Sequence, residues 1–172
     1  IKTVGVVGAG QMGGGIAHVA AQIAGRDVIL TDISQELADG GKAKIAKFMD
    51  KAVSKGKMTQ DDRDAAVGRI AAHGSMDALA ECDFVIEAAT ENEPLKLKIF
   101  KNIDEIAREG VILASNTSSI PITRIAAATS RPDKVIGMHF MNPVPVMKLV
   151  EVITAMQTSD ETLATTVALG EA

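Results

Sequence analysis

Two residues late in the chain, His139 and Glu151, have the chemistry of a general base and the anion that orients it. An imidazole titrates near neutral pH, and a neighbouring carboxylate fixes its tautomer and stabilises the imidazolium. His139 closes the apolar run 135–138, and Glu151 sits in Lys148-Leu149-Val150-Glu151-Val152-Ile153. If 149–153 is a strand, Glu151 shares a face with Leu149 and Ile153. A carboxylate among such neighbours is costly unless it is paired. Pro143 and Pro145 lie between the two, so a turn there would fold one strand back beside the other. A lone histidine at a strand end also fits a purely structural role, so the pairing is the testable part.

A second group binds rather than reacts. Gly8-Ala9-Gly10-Gln11-Met12-Gly13 matches G-x-G-x-x-G, with a strand pattern before it and a helix pattern after it. Gly8 permits the tight turn, Gly10 lets backbone approach a pyrophosphate, and Gly13 lets the helix pack on the strand. The N–H groups of Gln11, Met12 and Gly13 at the helix start attract phosphates. Asp32 ends the next strand, about 20 residues on, where the fingerprint places an acid for the ribose diol. Its charge repels a 2′-phosphate, and Ile33-Ser34 follow it instead of an arginine, so the reading is NAD over NADP.

Two further features leave alternatives open. Ser115-Asn116-Thr117-Ser118-Ser119 follows the run 111–114, at a strand's carboxyl end where α/β sheets bind ligands. The same residues suit a polar loop capping the next helix. Lys44, Lys47, Lys51 and Lys55 recur at helical spacing, flanked by Lys42 and Lys57, with Asp50 the only acid between those two. That stripe fits an anionic partner, and it also fits a solvated helix face. His18 and His73 read as structural or surface residues. No Cys or His pair has metal-ligand spacing, and the serines form no G-x-S-x-G elbow.

These residues need a frame. Short runs rich in Val and Ile at 4–7, 28–31, 84–88, 111–114, 135–138 and 149–153 read as strands buried in a parallel sheet. Helix patterns at 12–24, 36–55, 61–71, 95–108 and 122–128 alternate with them. The expected fold class is α/β: a Rossmann-type, doubly wound, mostly parallel sheet with a helical hairpin inserted at about 34–71. Thr59 with Asp62, and Thr158 with Glu161, have capping-box spacing, and Pro94 suits a helix start. A further helix pattern begins at 158 and runs to the last residue, as if opening a following segment.

Length and composition bound the rest. The 172 residues suit a single domain, here 1–172, and 47% hydrophobic residues suffice for one core. Cys82, the one cysteine, reads as a buried small apolar residue, and its solitude fits a reducing compartment. The net charge of −4 and the absence of Trp and Tyr argue against a nucleic-acid partner. No apolar run is long enough to span a bilayer and the start shows no targeting segment, so the expectation is a cytoplasmic protein without a membrane partner.

Taken together, Val6-Val7-Gly8-Ala9-Gly10-Gln11-Met12-Gly13, Glu87-Ala88-Ala89-Thr90-Glu91-Asn92, Ser115-Asn116-Thr117-Ser118-Ser119 and the segment from His139 through Pro145 to Glu151 resemble the L-3-hydroxyacyl-CoA dehydrogenase family, in its 3-hydroxybutyryl-CoA branch. The resemblance runs from Val4 to Ile153. It implies that His139 takes the 3-hydroxyl proton while hydride leaves C3 for NAD, that Glu151 orients it, and that Ser118 binds the substrate oxygen beside the nicotinamide ribose. It further implies that Asp32, Glu91, Lys96 and Asn142 contact NAD, and that the hairpin meets coenzyme A with Lys55 on a phosphate. That moves the lysine stripe toward an acyl-CoA partner. Met141 stands where the family usually has Phe, a mild change in an apolar wall. The family also has a C-terminal helical domain, bearing a catalytic Asn and most of the dimer interface, to which nothing here corresponds. The chain is therefore expected to bind NAD but to turn over slowly or not at all alone. Two rivals stay open: a related dehydrogenase of free hydroxy acids, and a non-catalytic nucleotide-binding module.

Overall fold

Valine and isoleucine, whose branched side chains favour extended backbone, set the sheet. The computed structural model describes residues 1–172. Its strands are β1 (Thr3–Val7), β2 (Asp27–Thr31), β3 (Ile70–His73), β4 (Phe84–Glu87), β5 (Ile112–Ser115), β6 (Val135–Phe140) and β7 (Val150–Thr154). Its α-helices are α1 (Gln11–Gln22), α2 (Gln35–Ser54), α3 (Gln60–Gly68), α4 (Glu93–Ile106), α5 (Ile122–Ala127) and α6 (Asp160–Gly170). The seven strands lie in the order β3-β2-β1-β4-β5-β6-β7. All pairings are parallel except β6 with β7. The order reverses between β1 and β4, the crevice where such sheets bind nucleotides.

Alternation along each strand divides the core into two layers. Val4, Val6, Phe84 and Ile86 pack with Ile16 and Ala17 of α1 and Ile45 and Met49 of α2. Val85 and Leu113 face the other way, onto Phe100 and Ile103 of α4 and Ile125 of α5. Each fully buried side chain of this size contributes about 1.5–3 kcal/mol. The doubly wound expectation is met, and the hairpin is α2 and α3 joined through Gly56 at φ +66°. No helix is long and apolar enough to cross a membrane.

Three local expectations are corrected. The helix expected over 61–71 stops at Gly68, and the next residues form β3, pairing with β2 from Val28↔Ile70 to Thr31↔His73. Ala71 and Ala72 favour helix intrinsically, but the open edge of β2 supplies ladder hydrogen bonds that outweigh propensity. The last helix is capped by Ser159, which accepts from the Thr162 N–H at 3.2 Å, and not by Thr158. The Thr158 hydroxyl instead donates to the Val135 carbonyl and accepts from the Ala155 N–H, tying the end of β7 to β6. Finally, β6 runs two residues past 138, so His139 lies inside a strand instead of closing it. Elsewhere the expected caps hold: Thr59 accepts from Asp62, and Pro94 sits in the first turn of α4 behind the Asn92 cap.

Candidate active site

The glycine loop is shaped by what its residues lack. Gly8 has φ +98°, and a Cβ there would lie 2.8 Å from Ala89 Cα and 2.9 Å from the Ala88 carbonyl. A Cβ at Gly13 would fall 1.7 Å from the Gly8 carbonyl oxygen. Over Gly10 the space is open, with nothing within 4 Å. The loop thus leaves room for a ligand above Gly10. The first turn of α1 has neither acid nor side-chain cap, so its N–H groups remain available to an anion. A pyrophosphate fits this cradle. Asp32, at the tip of β2, accepts from the Ala9 N–H and the Ile33 N–H, each at 2.7 Å. It therefore braces the loop as well as offering its remaining lone pairs to a ribose. Gln11 donates to the Asn142 side-chain carbonyl at 3.2 Å, joining this loop to the turn after β6. Met12 is half-buried beneath the loop, against the sheet core.

Across the sheet, β7 returns antiparallel to β6 and sets Glu151 directly opposite His139. The imidazole Nδ1 lies 2.8 Å from Glu151 Oε2. A carboxylate can only accept, so in the neutral ring Nδ1 carries the proton and Nε2, which has no protein partner, keeps its lone pair. The pairing expected from sequence is present, but its stated cause is not. The Glu151 side chain is 53% exposed, and Leu149 and Ile153 on its face are exposed too. Strand register, and not desolvation, brings the two together.

The Ser115–Ser119 segment divides between both readings offered for it. Ser115 is buried and donates to Glu87 Oε2 at 3.1 Å, while its oxygen accepts from the Thr117 N–H. The Thr117 and Ser119 hydroxyls both donate to Glu91 Oε2 at 2.9 Å. Those three shape the loop. Ser118 is exposed and its hydroxyl has no protein partner, so it alone points a free donor and acceptor outward. Asn116 Oδ1 accepts from the Phe140 N–H at 2.9 Å, tying this loop to the His139 strand.

Lys96 differs most from expectation. It is 1% exposed, and its ammonium is ion-paired with Glu87, itself wholly buried. Glu87 also accepts from the Ala89 N–H at 2.9 Å. In this structure the Lys96 charge lies beneath the loops, neutralised by Glu87, instead of facing the crevice. Glu91 remains exposed while bracing Thr117 and Ser119. The supporting roles of Glu87, Asn116 and Thr117 escaped the sequence reading. An acid inside the apolar run 84–88 was the available signal for Glu87; Asn116 and Thr117 carried none apart from their loop.

The lysine stripe is free. Lys44, Lys47, Lys51 and Lys55 are exposed on α2 and at its C-terminal cap, and none forms an ion pair, since Asp50 is engaged by Arg63 at 2.8 Å. Between this helix, α1 and the turn after β6 lies a crevice of about 310 Å³, lined by Gly14, Gly15, Gly41, Lys44, Phe48 and Pro145 among others. A Cβ at Gly41 would lie 2.8 Å from the Ala9 carbonyl, so α2 packs hard against the glycine loop. His18, at the crevice wall, is buried edge-on to Phe48, and burial lowers its pKa below the usual histidine value. The Cys82 thiol is pushed up to about 12 by burial and is inert at neutral pH.

The family model described as the NAD-binding domain of 3-hydroxyacyl-CoA dehydrogenase matches residues 3–172. A 3-hydroxybutyryl-CoA dehydrogenase of Bradyrhizobium diazoefficiens is 52% identical over 162 residues, 94% of this chain and 55% of that protein. The fatty acid oxidation complex alpha subunit of Psychrobacter arcticus is 44% identical over 169 residues, 98% of this chain and 23% of its own. Among solved structures, the (S)-3-hydroxybutyryl-CoA dehydrogenase of Ralstonia eutropha superposes with a TM-score of 0.96 at 53% identity, covering 99% of this chain and 60% of that one. The chain thus spans little more than half the length of these dehydrogenases.

Proposed function

The chain belongs to the 3-hydroxyacyl-CoA dehydrogenase family, whose NAD-binding domain it carries, and from that premise we propose that it is the cofactor-binding and base-bearing part of an enzyme interconverting L-3-hydroxyacyl-CoA and 3-ketoacyl-CoA, with 3-hydroxybutyryl-CoA as the preferred substrate. The glycine loop holds the pyrophosphate, Asp32 the adenosine ribose, and Glu91 and Asn142 the nicotinamide half. Lys96 supports that half from below, through Glu87. NAD, when bound, supplies the hydride acceptor. His139 Nε2 removes the 3-hydroxyl proton as hydride leaves C3, and Glu151 holds the ring and stabilises the imidazolium. Ser118 donates to the substrate oxygen. Coenzyme A lies along α2, with Lys55 on a phosphate.

The observation that carries this reading is the 2.8 Å Nδ1–Oε2 contact, which in the neutral ring puts the proton on Nδ1 and leaves the Nε2 lone pair free to accept one. Mere nucleotide binding has no use for an oriented base. The unpaired lysines favour a CoA thioester over a free hydroxy acid, and side-by-side turnover of 3-hydroxybutyryl-CoA and 3-hydroxybutyrate decides between them. We further propose that the whole enzyme is a cytoplasmic homodimer assembled through a C-terminal domain, and that this chain alone reduces acetoacetyl-CoA slowly or not at all. In an enzyme of the relatives' length, His139→Gln should abolish turnover and leave NADH affinity within about threefold, roughly 0.7 kcal/mol. Retained turnover would remove His139 as the base.

A further inference from the structure

β5 pairs with β6 only as far as Ser115↔Gly137, and beyond that point the two strands part. β6 continues for three more residues, through Met138 and His139 to Phe140. On its other side β6 stays paired with β7 to the end, including His139↔Glu151. The last stretch of β6, which carries the base, thus has lost its ladder on the β5 side. One contact replaces it: Asn116 Oδ1 accepts from the Phe140 N–H, the residue next to His139, at 2.9 Å. Asn116 is itself anchored, since its own N–H donates to the Glu87 carbonyl at 2.9 Å. Its neighbours Ser115 and Thr117 are held by Glu87 and Glu91.

A half-buried peptide N–H needs an acceptor, and here that acceptor sits on the loop bearing Ser118. The side chain of Asn116 therefore spans the gap between the strand of the base and the loop of the free hydroxyl. We propose that Asn116 is a positioning residue: it pins the end of β6 so that the His139 ring stays registered against Glu151 and at a fixed separation from Ser118. This rests on the reading of His139 as the base. Without the tie, the end of β6 is held from one side only, and a strand pinned on one edge frays.

The test uses this chain, labelled with 15N-histidine. Wild-type His139 should give the ring signature of a single Nδ1–H tautomer. Asn116→Leu removes the acceptor at similar volume and should convert that signature to an exchange-averaged one, while NADH affinity stays within about threefold and the thermal transition remains cooperative. Asn116→Asp keeps an oxygen acceptor and should restore the wild-type signature. The inference is overturned if Asn116→Leu leaves the His139 signals unchanged, or if Asn116→Asp disturbs them as much as Asn116→Leu does. It is equally overturned if Asn116→Leu loses NADH binding and its cooperative transition together, because the residue then only supports the fold. A wild-type spectrum lacking the Nδ1–H tautomer would instead bring down the base itself, before any variant is compared.

Discussion

Lys96 and Glu87 offer a quantitative test of the crevice floor that needs no substrate. Both side chains are essentially without solvent contact, at 1% and 0% exposure. Removing one partner of such a pair strands the other charge in low dielectric and costs about 3–5 kcal/mol. Glu87 also accepts from the Ala89 N–H and the Ser115 hydroxyl, so Glu87→Gln keeps one oxygen acceptor but leaves the ammonium unpaired. Lys96→Met leaves the carboxylate unpaired, though two neutral donors still stabilise it, so it should fall at the lower end. For a chain of this size each kcal/mol shifts the midpoint by about 2–4 °C, so the single variants should melt roughly 6–20 °C lower. The double variant E87Q/K96M removes both charges and keeps an oxygen for Ala89, and it should recover most of that loss. Thermal unfolding followed by circular dichroism, with urea titration as a check on two-state behaviour, gives all four values. Single variants within about 2 °C of wild type, or a double variant no better than the worse single one, would refute the argument, because an uncompensated buried charge cannot be that cheap.

Gly13→Ala places a Cβ 1.7 Å from the Gly8 oxygen, so the loop must move, and NADH affinity measured by fluorescence should fall at least about tenfold. Asp32→Asn keeps an acceptor for the Ala9 N–H and removes the repelling charge, and the NADPH-to-NADH affinity ratio should rise by about tenfold. Reversing the two lysines at the end of the stripe, K51E/K55E, should weaken binding of CoA in calorimetry, with a difference from wild type that shrinks as salt is raised. His18 has its pKa lowered, chiefly by burial and against the hydrogen bond its Nε2–H donates to the Gln22 side-chain oxygen. The folded state thus prefers neutral imidazole: its contribution is whole above the unfolded value near 6.5 and is lost as pH falls through the folded one. Stability of wild type should decline from about pH 6.5 downward, and His18→Asn should flatten that part of the curve; an unchanged slope would assign the decline to other groups.

How much of this was legible in residues alone depends on how far apart the interacting groups lie in the chain. Local and periodic signals carried well: the glycine loop, its acid at Asp32, the strand runs, the cap at Thr59 and the helix start at Pro94 each involve residues within one or two elements. The failures have a common physical form. β3 exists because β2 had an open edge, and no property of Ile70 to His73 announces that edge. Thr158 has the spacing of a cap, yet its hydroxyl is taken by Val135, 23 residues away. Lys96 has the composition of a surface helix residue, yet it is drawn inside by Glu87 across a loop. Even the success at His139 and Glu151 had the wrong cause, since register pairs them on an exposed face. Side chains at the carboxyl edge of a parallel sheet have neighbours chosen by strand order, and strand order is a property of the whole chain. The chemistry of this site was therefore readable as an inventory of groups, whereas its supports, Glu87 under Lys96 and Asn116 beside His139, became visible only once β4, β5 and β6 stood next to one another. The supports should therefore be the positions where conservative changes act most selectively. Asn116→Leu, Ser115→Ala and Glu87→Gln should each alter His139 or Ser118 resonances more than any substitution of equal size on the exposed face of α2.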